Sequence, residues 1–244
     1  MKTLDLTREQ IKNIIKQNDI PNNSGLFGIC CNYDENIALK FDLSILNEHK
    51  EVIDFNSAYI SQINVSQIDK LARLGDKVKL SSLPLGIAYC ENVPVAVILK
   101  YFGNHRSLLS LPCELKENLL KVLFDINDIV DELCQNYIYQ LDIKENNFLY
   151  SKTNFKAEAI DLDGMLMNIS SYENIRQEEM IYEKLIKMFM YLIHEKMVVF
   201  GLSENEINKR MEELKGYYFG INNYYGANAF LRSVNEKKVL QKIK

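Results

Sequence analysis

Histidine is scarce in this sequence. There are three in 244 residues, His49, His105 and His194, and none lies in a His-x-x-x-His, His-Asp or Ser-x-x-Lys context. A hydrolase triad therefore has little support. The five cysteines (Cys30, Cys31, Cys90, Cys113, Cys134) include no C-x-x-C pair and fall inside apolar segments. They read as buried free thiols rather than a disulfide frame or a zinc site, which points to a reducing compartment. Long apolar runs are missing too. The start, MKTLDLTREQIKNIIKQN, is charged throughout and is not expected to act as a Sec-type signal peptide. The most apolar later run, Met188 to Phe200, is broken by His194, Glu195 and Lys196 and is too short to span a bilayer. With a net charge of −4 there is no electrostatic case for a nucleic-acid partner or an anionic membrane surface. No repeats or low-complexity tracts occur.

What remains is ordinary for a soluble globular protein: 47% hydrophobic and 25% charged residues. The length suits one large domain or two small lobes. Leu6, Ile11, Ile14 and Ile15 predict a helix over residues 5–18, opened by Thr7 with Glu9 and Gln10 behind it. NNSGLFGICCNYDENIALKFD reads as a hairpin: a strand to Asn32, a Tyr-Asp-Glu-Asn turn, and a strand through Ile37, Leu39 and Phe41. Lys40 stands between apolar neighbours on that second strand. A lysine directed at a covered face needs an anionic partner, because an unpaired buried ammonium is expensive. A helix-like stretch, Ser57 to Leu74, contains no glutamate. Residues 83–101 predict two apolar strands joined by a Glu91-Asn92 turn, and the polar break after Tyr101-Phe102 marks a boundary. Leu119, Leu120, Leu123, Ile126, Ile129, Val130, Leu133 and Cys134 predict one long helix between Glu114 and Tyr137. Three further helices follow Gly164: a strong one through about Val199, one near Glu204–Lys215, and a last one from about Ala227. The basic final ten residues read as a solvated helix end.

The stretch from Tyr137 to Gly164, YIYQLDIKENNFLYSKTNFKAEAIDLDG, carries the chemistry. Asp142, Lys144 and Asn147 fall within six residues, and Asp161 follows nineteen residues after Asp142, with room for one short hairpin between them. One carboxylate can orient a hydroxyl, while an amide and a second carboxylate hold magnesium through oxygen. The pattern D-x-K-x-x-N, then strand, turn and Asp, resembles the catalytic loop and metal segment of protein kinases. Gly25, Phe27 and Gly28 resemble the second half of a kinase glycine-rich loop, and IALKF resembles the V-A-I-K strand.

The resemblance implies an α+β, two-lobed protein kinase-like fold, with a small antiparallel β-sheet N-lobe (residues 1–103) and a reduced, mainly helical C-lobe (residues 104–244). It implies ATP and Mg2+ as cofactors and a protein Ser/Thr hydroxyl as acceptor. Asp142 would orient the hydroxyl and Lys144 would neutralise charge on the transferred group. Asn147 and Asp161 would hold the metal, with Asp163 as rival to Asp161. Lys40 would grip the α- and β-phosphates, held by Glu48 or Glu51. Leu99 would sit near the gatekeeper position and Tyr101 in the hinge that faces adenine.

The chain departs from the family in several places. Gln140-Leu141 stands where the family has His-Arg, so no phosphorylation switch on an activation loop is expected. Asp161-Leu162-Asp163-Gly164 replaces Asp-Phe-Gly, there is no Ala-Pro-Glu segment, and the first loop glycine is absent. Two other readings stay open: a small-molecule kinase of the aminoglycoside or choline phosphotransferase type, and a pseudokinase serving as a binding module. A cytoplasmic location is expected, or delivery as an effector without an N-terminal signal. The oligomeric state is not specified.

Overall fold

In the computed structural model, the described residues are 1–18, 24–25, 28–45, 62–162, 165–167, 171–219, 226–236 and 240. Phe27, Glu48, Glu51 and Asp163 lie outside them. The fold class is α+β, and the chain divides into two compact units, Met1–Gly103 and Asn104–Lys244. Among the described residues no helix is long and apolar enough to cross a membrane.

The first unit is built on a six-stranded sheet. Its strands are β1 (Lys2–Asp5), β2 (Ser24–Gly25), β3 (Gly28–Asn32), β4 (Ile37–Asp42), β5 (Gly86–Cys90) and β6 (Val93–Lys100), in the order β1-β5-β6-β4-β3-β2. The sheet is mixed rather than antiparallel, because β1 runs parallel to β5. A four-residue strand pairing with residues more than eighty positions away leaves no periodicity to read. The contact depends on Gly86, where a Cβ would come 1.9 Å from the Lys2 carbonyl oxygen.

Helix α1 (Arg8–Gln17) begins as its sequence predicts. Thr7 Oγ1 accepts from Gln10 N–H at 3.2 Å and Gln10 Oε1 accepts from Thr7 N–H at 2.7 Å, which makes a reciprocal capping box. Its Ile11 and Ile15 join Ile29, Cys31, Leu39, Phe41, Ala96 and Ile98 in one core against a face of the sheet. On a second cluster, Ile68 of α2 (Val65–Leu74) packs with Ile87 and Val97. The β5–β6 hairpin turns at Glu91 and Asn92, both at positive φ (52° and 67°), the pairing a two-residue type I′ turn requires.

The second unit is mainly helical. α3 (Lys116–Gln135) buries Leu119, Val122, Leu123, Ile126, Val130 and Leu133 along one stripe. It stops where Tyr137 adopts φ 57° and donates its N–H to the Cys134 carbonyl. β7 (His105–Ser107), β9 (Phe148–Ser151) and β10 (Ala157–Ala159) form a three-stranded sheet in the order β10-β9-β7. β8 (Ile138–Tyr139) pairs with β11 (Leu166–Met167). α4 (Ser171–Val199), α5 (Glu204–Phe219) and α6 (Gly226–Glu236) complete the unit. α4 begins well before its apolar stripe does.

The thiols divide. Cys31, Cys90 and Cys134 are buried, whereas Cys30 and Cys113 are exposed, which corrects the expectation for those two. Strand alternation turns Cys30 away from the core that Cys31 enters. Burial pushes the Cys31 and Cys134 thiols up to about 12, so neither forms a thiolate at neutral pH.

Candidate functional site

In the first unit, β4 carries Lys40 between the buried Leu39 and Phe41. Strand alternation sends those two into the core and Lys40 to the opposite face. There Lys40 lies between Cys30 on β3 and Val97 on β6, and it shares the face with Leu99, the partner of Ala38. Val97 and Leu99 belong to the cluster that α2 covers, so the lysine stem lies on a partly enclosed surface.

Gly28 is diagonal to Lys40. A Cβ there would come 3.1 Å from Lys40 Cγ, 3.2 Å from Cε and 2.8 Å from the Phe41 carbonyl oxygen. The absent side chain is what lets the lysine stem lie along β3. Gly25 pairs with Gly28 across the β2–β3 ladder. Tyr101, just after β6, donates its N–H to the Asn36 carbonyl at 2.9 Å.

Sequence reasoning did not single out Asp42. It is buried, accepts from Ser44 N–H (2.9 Å), Ser44 Oγ (2.7 Å) and Gln62 N–H (2.7 Å), and stands on the Lys40 face of β4. An acidic residue ending an apolar strand with serine two positions on is the signal that marks such an Asx-type cap.

The second unit brings Asp142, Lys144 and Asn147 together. β8 leads into the loop, and a 3-10 turn, Glu145–Asn147, hands it to β9. Asn147 is buried, 4% exposed, and its Nδ2 donates both to the Asp142 carbonyl (2.7 Å) and to Asp142 Oδ2 (3.2 Å). Lys144 Nζ meets the same Oδ2 at 2.5 Å. Among the described residues, both side-chain partners of Asp142 thus sit on Oδ2. The hydrogen bond from Lys144 holds the Asp142 carboxyl below the ordinary carboxylate range. Partial burial opposes it, while Asn147 and the Lys184 charge add to the downward shift. Asp142 is thus ionised at neutral pH and acts as an acceptor.

Asp161 is positioned by the β9–β10 hairpin. Phe148 pairs with Ala159, and beyond the ladder Ile160 N–H donates to the Asn147 carbonyl at 2.9 Å. Asp161 is therefore one residue from a direct backbone link to Asn147. It has φ 62°, a left-handed conformation that aspartate tolerates better than most side chains but that still carries a cost.

Two further residues tie the loop down. Gln140 is buried, and its Nε2 donates to the Ile160 carbonyl at 3.2 Å, bracing the Asp142 loop against the Asp161 segment. Lys184, midway along α4, donates to the Leu141 carbonyl. Its only sequence cue is a lysine inside an apolar helix, forty-two positions after Asp142, so its target was not legible.

The residues offer hard oxygen donors of the type magnesium takes. Asn147 commits its nitrogen to Asp142, which orients the amide oxygen away from that bond. Among the described residues no three of His, Cys, Asp and Glu converge as a metal cage. Were a magnesium ion bound here, the oxygens of Asn147 and Asp161 would be the protein's donors to it.

Neither the family models nor the curated proteins compared with this chain include a match to it.

Proposed function

We propose that the protein is a phosphotransferase with a two-lobed protein kinase-like fold, moving the γ-phosphate of ATP to a serine or threonine hydroxyl. The observation that carries this reading is the Asp142–Lys144–Asn147 loop, in which the side-chain partners of Asp142 among the described residues meet Oδ2 and the hairpin delivers Asp161 alongside Asn147. The first unit adds support. Counted from the glycine-flanked hairpin, Lys40 is on the third strand, where kinases carry their phosphate-binding lysine, and Gly28 makes room for its stem.

In this reading Asp142 Oδ1 accepts the hydrogen bond of the acceptor hydroxyl and aligns it. The acceptor oxygen forms the new bond to phosphorus and the bond to the β-phosphate oxygen breaks. ADP departs with that electron pair, and the hydroxyl proton passes to Asp142. Lys144 balances negative charge on the transferred group, and Lys40 binds the α- and β-phosphates. Asn147 and Asp161 would hold magnesium, which when bound neutralises phosphate charge.

Incubation with radiolabelled ATP and magnesium, against protein and small-alcohol acceptors, tests the proposal. Asp142→Ala is expected to bind nucleotide normally and transfer nothing. Asp161→Ala is expected to lose magnesium-dependent nucleotide binding. Undiminished transfer by Asp142→Ala, or equal loss of nucleotide affinity in both variants, overturns the assignment.

A further inference from the structure

The peptide groups on either side of Asp142 are each held by a side chain. The Leu141 carbonyl accepts from Lys184 Nζ of α4, and the Asp142 carbonyl accepts from Asn147 Nδ2 at 2.7 Å. We infer that Lys184 is a positioning residue for the transfer step: it holds the Leu141–Asp142 peptide against α4, so aiming the Asp142 carboxylate, and leaves nucleotide binding alone. The inference rests on the phosphotransfer reading above and adds to it a residue outside the loop.

A peptide group is planar, so a carbonyl held in place holds the N–H of the next residue with it. With one held plane on each side, the Asp142 Cα has little room to turn, and the direction of its side chain follows. The two bonds do different things. Asn147 belongs to the loop itself, so its bond shapes the loop without tying it to another element. Lys184 comes from a helix whose own position is set by packing, since Ile181, Leu185, Phe189 and Leu192 of α4 are buried. Tyr182, two residues before Lys184, donates its hydroxyl to Asp131 of α3 and so joins the two helices. A second tether runs from Tyr139 Oη on β8 to Glu178 Oε1 of α4 at 3.4 Å. A firmly packed helix thereby fixes the one loop residue that needs precise aim. Lys184 and Asp142 also line the same open cavity beside the loop, so the bond acts near the reacting carboxylate.

The metal side is fixed by another route. Ile160 N–H donates to the Asn147 carbonyl at 2.9 Å, and Gln140 Nε2 donates to the Ile160 carbonyl at 3.2 Å. Neither bond includes α4. Breaking the Lys184 bond therefore leaves Asn147 and Asp161 in their relation to each other while Asp142 loses its aim.

The test compares the full chain with Lys184→Met and Lys184→Arg. In transfer from radiolabelled ATP to a degenerate serine/threonine peptide library, Lys184→Met is expected to lose about 10- to 100-fold in kcat, with the KM for ATP within about twofold of wild type. Lys184→Arg, which keeps the charge and the donors, is expected to recover most of that loss. A second readout needs no turnover: in carbon-13-labelled protein the Leu141 carbonyl resonance should move upfield in Lys184→Met, as it loses its donor, and stay near wild type in Lys184→Arg. Should Lys184→Met fail to fold, Lys184→Gln, whose arm is one bond shorter, carries the same comparison. An unmoved Leu141 resonance, an unchanged kcat, or a KM for ATP that rises as far as kcat falls overturns the inference. A wild-type chain that transfers nothing, with the Leu141 resonance responding as expected, would keep Lys184 as the group that holds Asp142 and remove the phosphotransfer reading.

Discussion

Asn147→Asp tests the part that this side chain plays in holding the loop. If Asn147 served only as a metal ligand, a carboxylate in its place would supply one more hard, charged oxygen and cost the fold little. The hydrogen bonds say otherwise. The amide nitrogen is the buried donor to the Asp142 carbonyl at 2.7 Å and to Asp142 Oδ2 at 3.2 Å. Replacing it with oxygen removes a donor from a carbonyl, at about 1–3 kcal/mol. It also puts two carboxylates about 3 Å apart. Asp142 is 64% exposed, so the repulsion is near the aqueous limit, about 1–2 kcal/mol. The expected total is about 2–5 kcal/mol, which at roughly 2–4 °C per kcal/mol is a large fall in unfolding temperature. Asn147→Ala loses the donor without adding the charge, so it should lie between wild type and Asn147→Asp. Thermal unfolding of the three proteins without nucleotide, at neutral pH and again near pH 3, measures this. Since protonation removes the repulsion, Asn147→Asp should approach Asn147→Ala at the lower pH. An Asn147→Asp protein as stable as wild type at neutral pH would refute the positioning role.

Two other substitutions probe the frame. Gly86→Ala places a Cβ 1.9 Å from a backbone oxygen that cannot step aside, so β1 must leave β5 at a cost of roughly 1–3 kcal/mol. In hydrogen exchange the amides of Lys2 and Leu6, bonded to the Leu85 and Tyr89 carbonyls, should lose protection while the β4–β6 ladder keeps it; unchanged protection at both would contradict the reading. Lys196 is fully buried, donates to the Glu114 carbonyl and lies 3.8 Å from the Phe200 ring centre. Burial lowers its pKa from the ordinary lysine value of 10.5. The folded state therefore binds fewer protons than the unfolded chain between those two values, and stability should rise with pH across that window. Lys196→Met removes that slope. Denaturant titrations at several alkaline pH values should show wild type gaining on the variant as pH rises, and parallel curves would exclude the effect.

The elements that were legible are those whose signals are local. Thr7 with Gln10 announces a helix start, Glu91-Asn92 a hairpin turn, and the leucine and isoleucine spacing of α3 a long buried helix. The Asp142–Asn147 loop was legible for the same reason, since its three side chains meet within six residues. The misses are non-local or lack a pattern. β1, β7 and β11 are two to four residues long and exist through partners elsewhere in the chain. The early turns of α4 gave no apolar stripe because they do not face the core: Ile175 is 61% exposed and Met180 40%. Lys184 was invisible because a backbone carbonyl, which has no sequence identity, is its target.

That last miss bears on how the loop is controlled. Where kinases of the family pattern carry His-Arg, this chain has Gln140-Leu141, and neither side chain offers a cation to a phosphorylated segment. Among the described residues the loop is held by bonds already present in the unmodified chain. Gln140 reaches the Ile160 carbonyl, Lys184 reaches the Leu141 carbonyl, and Asn147 reaches Asp142. Each of the first two joins a neutral carbonyl to the element on the far side of the loop, so neither requires an added phosphate to form. An arrangement anchored this way sets the positions of Asp142, Lys144 and Asn147 through contacts within the unit itself.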